Sequence, residues 1–72
     1  MKKYKKTYYF DNGNHVEIIL NNIDFKEILK DIDRSTDCKF TSEVLEDIGK
    51  IVTVNMNKVN FISVEEVNDE NN

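Results

Sequence analysis

Seventy-two residues, 39% of them hydrophobic, suffice for one domain with a modest core. Fourteen acidic against ten basic residues give a net charge of −4, which works against a surface that coats nucleic acid. The lone Cys38 excludes an internal disulfide, and with the single His15 it leaves too few soft ligands for a zinc centre.

The chain opens with Lys2, Lys3, Lys5 and Lys6, read as a basic arm over residues 1–6, while the remainder carries six basic and fourteen acidic residues. The start resembles the charged region of a signal peptide, but no continuous apolar stretch follows it. Thr7 to Leu20 is predicted as a β-hairpin, because Asn12-Gly13 suits a two-residue type I′ turn. Pairing outward sets Phe10 opposite His15, Tyr9 opposite Val16, Tyr8 opposite Glu17 and Thr7 opposite Ile18. Thr7, Tyr9, Val16, Ile18 and Leu20 then form the core face. Tyr8, Phe10, His15, Glu17 and Ile19 form the other.

Ile23 to Arg34 carries helical periodicity, with Phe25, Ile28, Leu29 and Ile32 on one stripe. Asp24 and Glu27 are spaced as a capping box, and Ile23 with Ile28 as a hydrophobic staple. Ser35 to Asp37 reads as a loop and Cys38 to Phe40 as a short strand. Residues 41–48 suit either one or two helical turns ended by Gly49 or an extended segment. Lys50 to Val67 is predicted as a second hairpin, Ile51–Val54 against Val59–Val64. Val59 and Ile62 are three apart, so both point inward only with a bulge or bend between them. An acidic tail over 68–72 is expected to be disordered. The expected fold is a single α+β domain in ββα(α)ββ order: an antiparallel sheet of four to five strands, built from two hairpins, with one main helix on one face.

Chemistry has few candidates. His15 with Cys38 is the sole nucleophile–base combination, and an exposed turn histidine with a small apolar cysteine is the simpler reading. Asp31 with Asp33, or Glu46 with Asp47, lacks the spacing of a cation loop. The sequence therefore predicts no enzyme, no cofactor and no metal. Without disulfide or metal, so thin a core is expected to leave apolar surface for another molecule. Tyr8, Phe10 and Ile19 are the expected apolar anchors for a partner protein, or for a second copy in a homodimer. Glu43, Glu46 and Asp47 form an alternative acidic contact that imitates phosphates. Lys2, Lys3, Lys5 and Lys6 would serve a nucleic-acid reading, with nearby tyrosines for stacking. No apolar run approaches the roughly 20 residues of a membrane span, so a cytoplasmic location with a reduced thiol is expected.

The run Ile51-Val52-Thr53-Val54-Asn55-Met56-Asn57-Lys58-Val59-Asn60-Phe61-Ile62, continued by Ser63 to Glu66, resembles a hairpin of short phage and prophage proteins. Abundant Lys, Asn and Ile, without Pro, Trp, Ala or Gln, point to A/T-rich coding. Length, acidity and that bias resemble small phage inhibitors of bacterial defence, such as anti-CRISPR proteins. The resemblance implies stoichiometric inhibition of a host protein in the bacterial cytoplasm. The alternatives are a homodimeric regulator using the basic arm, and an assembly subunit of a larger particle.

Overall fold

A computed structural model describes residues 2–67, leaving out the side chain of Asp47. It contains β1 (Lys3–Phe10), β2 (His15–Asn21), α1 (Phe25–Ser35), β3 (Phe40–Leu45), β4 (Lys50–Asn55) and β5 (Val59–Val67). Short 3-10 turns at Glu46–Ile48 and Met56–Lys58 precede the last two strands. The class is α+β with antiparallel pairing, as expected, but the strands form two sheets. One has the order β2-β1-β5 and the other is β3-β4.

The expected second hairpin does not form, because β4 and β5 belong to different sheets. Residues 41–45 are extended, and they pair with β4 through Thr41↔Val54, Glu43↔Val52 and Val44↔Ile51. That pairing satisfies a β-branched run whose backbone would otherwise lack a partner. After β4 the 3-10 turn redirects the chain, with the Asn55 side chain accepting from the Asn57 amide at 3.0 Å. Strand β5 then joins the free side of β1, setting Tyr8 opposite Ile62 and Lys6 opposite Val64. Gly49 does close a turn with left-handed geometry, at φ 62°, but the turn is 3-10 and follows a strand.

The first hairpin forms one residue out of its predicted register. Gly13 donates to the Phe10 carbonyl and Phe10 donates to that of Asn14, at 3.0 and 2.9 Å. With Gly13 at φ 90°, this is a three-residue loop ending in a bulge rather than a two-residue turn. Tyr9 consequently faces His15, and Tyr8 faces Val16. A one-residue slip reverses the face of every side chain on one strand relative to its partner. Tyr4, Lys6, Tyr8 and Phe10 therefore share the inner face with Val16, Ile18 and Leu20.

The bulge expected between Val59 and Ile62 is present, where the β1–β5 register shifts between Tyr9 and Phe10. Both residues pack against the core of Tyr8, Ile18 and Val54, as do Val16, Leu20, Leu45, Val52 and Met56. Helix α1 and the β3–β4 sheet share this inner face. Ile28 of the predicted stripe is fully buried, and the Phe25 ring lies 5.6 Å from that of Tyr4. Asp24 stands at the N-cap, where its carbonyl accepts from Glu27 and Ile28 at 3.0 and 3.2 Å. Its side chain makes no capping bond, so the predicted box is not closed.

The basic arm is not an arm, because Lys3 to Lys6 lie in the central strand of the larger sheet. The predicted acidic tail lies outside the described residues.

Candidate functional site

The inner face holds a charged group that the sequence reading placed elsewhere. Lys6 alternates with Tyr4 and Tyr8, so the corrected register turns it inward, where it is 4% exposed. Glu43 alternates with Thr41 and Leu45 on β3 and arrives from the opposite layer. Its carboxylate lies 2.6 Å from Lys6 Nζ and accepts the hydroxyl hydrogen of Tyr8. Lys6 Nζ also stands 5.2 Å from the centre of the Tyr8 ring, within cation–π range. Burial first, and then the hydrogen bond and negative charge of Glu43, push the Tyr8 phenol far above its ordinary value. Each polar group here is engaged by another, so the cluster joins the two sheets and offers no free nucleophile or base.

Two predicted site sets change as a result. Tyr8 is completely buried, so it is core and not a surface anchor, whereas Phe10 is half-buried against the core and lines a cleft with Val16, Val52 and Val54. Glu43 is an internal counter-ion and not a surface acid, whereas Glu46 remains exposed. The four lysines do not form a phosphate-binding arm either. Lys6 is buried, Lys2 lies 3.1 Å from Glu66, and Lys5 stands 4.0 Å from both Glu17 and Glu65. Lys3 pairs in β1 opposite Asn21 and Val67.

The outer face of the larger sheet is ordered in rows. His15, Tyr9 and Phe61 form one, with the Tyr9 and Phe61 rings stacked at 4.3 Å. His15 Nε2 lies 3.5 Å from Glu17. Cys38 is exposed and lines a cleft with Arg34 and the inward-facing Lys6. The fold thus separates the two members of the conceivable catalytic pair. Asp31 engages Arg34, and among the described residues no three His, Cys, Asp or Glu side chains cluster as metal ligands.

Phe25, Leu29, Phe40 and Phe61 are also exposed, but one group of aliphatic side chains bridges the two sheets. Ile19, Val44, Ile48 and Ile51 are 45%, 60%, 67% and 68% exposed. Val44 and Ile51 are cross-strand partners on the outer side of the smaller sheet. Ile19, Val44 and Ile48 line a single cleft of about 410 Å³ between β2 and the end of β3, together with Glu17, Leu20, Asn21, Leu45 and Glu46. These four aliphatics thus make one surface that crosses from one sheet to the other.

No family model, curated protein or solved structure matches this chain.

Of the predicted anchors, the surface retains Ile19, and of the predicted acids it retains Glu46, while the Asp47 side chain lies outside what is described. Val44, Ile48 and Ile51 were missed because residues 41–48 were also open to a helical reading and Ile51 was paired with the wrong strand. Thr41 to Leu45 carries no apolar–polar alternation to signal a strand; once extended, it puts Glu43 and Leu45 on one side and Val44 on the other. Among the described residues, no helix is long and apolar enough to cross a membrane.

Proposed function

We propose that this chain is a non-catalytic protein that inhibits a host protein by one-to-one binding in the bacterial cytoplasm, as small phage inhibitors of bacterial defence do. The observation that carries this reading is the continuous exposed surface of Ile19, Val44, Ile48 and Ile51. Large aliphatic side chains held on strands and a tight turn are preorganised, so little side-chain entropy is lost when a partner covers them. Contiguous apolar surface of this kind is what protein partners use. The regulator alternative draws less support, since Lys6 is buried and Lys2 and Lys5 stand beside carboxylates.

The test is capture from bacterial lysate with the whole chain and with an Ile48→Asp, Ile51→Asp variant, both verified as folded by circular dichroism. One partner retained at a one-to-one ratio by the unaltered chain and lost by the variant is the expected result. Equal retention by both proteins would remove this surface from the function. Failure of the unaltered chain to retain any protein would remove the inhibitor reading itself.

A further inference from the structure

We infer that the cleft between β2 and β3 takes an extended segment of the partner in which aliphatic side chains alternate with lysine or arginine. The inference deepens the proposed function and rests on it. Its first support is the lining. Ile19, Leu20, Val44, Leu45 and Ile48 supply an apolar floor, Glu17 and Glu46 supply two carboxylates, and no described basic side chain lines the cleft. Lys5 and His15 approach Glu17 from outside the cleft, at 4.0 and 3.5 Å, and an apolar cleft edged by two carboxylates is complementary to an aliphatic chain that carries positive charge. A second copy docked cleft to cleft would instead bring carboxylates against carboxylates.

The second support is the backbone. Strand β2 is an edge strand, because the sheet order is β2-β1-β5. Glu17 and Ile19 belong to its outer face and Leu20 to its inner face, yet all three line the cleft. Side chains from both faces meet in this way only along a strand edge. The cleft therefore runs beside β2 backbone that β1 does not pair. Two devices that blunt such edges are missing here: β2 contains no proline, and its inward residues Val16, Ile18 and Leu20 are all apolar; Glu17 is the one charge on the strand. An added strand gains main-chain hydrogen bonds from this edge, while its alternate side chains reach the aliphatic floor and the carboxylates.

The probes are three nine-residue peptides titrated into the full-length isotope-labelled chain and followed by amide resonances. One alternates Arg and Leu, the second replaces each Arg by Glu, and the third replaces each Leu by Ser. The Arg/Leu peptide is expected to shift residues 17–21 and 44–48, and to bind at least tenfold more tightly than either other peptide. Glu17→Gln with Glu46→Gln should weaken it about tenfold, and added salt should do likewise. Comparable binding of the Glu/Leu peptide, or shifts centred elsewhere, overturns the proposal. Concentration-dependent self-association that broadens Ile19 and Ile48 also overturns it, by making a second copy the occupant. Should no peptide bind while Ile48→Asp, Ile51→Asp still abolishes capture from lysate, the inhibitor reading stands and the partner's chemistry is refuted.

Discussion

Replacing Glu43 by alanine tests the internal architecture most directly. The substitution strips the counter-ion from Lys6, which is 4% exposed with its Nζ 2.6 Å from the carboxylate. It also removes the acceptor of the Tyr8 hydroxyl. Breaking a buried pair from one side costs about 3–5 kcal/mol, because the remaining charge is left desolvated. Small domains have stabilities on the order of 5–10 kcal/mol, so Glu43→Ala should remove roughly half. At about 4 °C or more per kcal/mol, the melting midpoint should fall by at least about 12 °C. Urea denaturation followed by circular dichroism at pH 7 measures the loss. The double variant Lys6→Met, Glu43→Gln eliminates both charges while keeping an amide oxygen for Tyr8, and should recover most of it. A cost below about 1 kcal/mol for Glu43→Ala would class Glu43 with ordinary surface acids and refute the internal pair.

Alkaline titration provides a second check. Because the folded state holds the Tyr8 phenol far above its ordinary value, the unfolded chain releases that proton first as pH rises. This contribution is complete below about pH 10 and falls by about 1.4 kcal/mol per pH unit above it. In Tyr8→Phe that component of the alkaline slope should be absent from denaturation curves. Tyr8→Ala should cost about 3–5 kcal/mol through the cavity it opens, whereas Ile19→Ser should stay within about 1 kcal/mol by the same measurement. Gly13→Ala should cost about 1 kcal/mol in thermal denaturation from its φ of 90° alone, since a Cβ there meets no atom within 4 Å.

Much of the local structure could be read from short stretches of sequence. Asn12-Gly13 located the first turn, the apolar spacing from Phe25 to Ile32 located the helix, and the three-residue separation of Val59 and Ile62 required the bulge that is present. These features depend on backbone preferences and on periodicity within a few residues. Which strand pairs with which was decided at longer range. Local sequence allows β4 to close on either β3 or β5, and in the fold β4 takes β3 while β5 takes the free side of β1.

The candidate site was hardest to foresee because one added loop residue reverses a whole strand. With two residues at the turn, Tyr8 and Phe10 would face outward as anchors; with three, they are core and Lys6 is carried inside with them. A buried lysine requires a counter-ion, and that requirement assigns Glu43 to the interior. Composition and periodicity determined the class of the fold, its helix and the position of its first turn. Tertiary structure alone decided which face of each strand is wet, because register is settled by turn geometry together with the pairing of charges from separate layers.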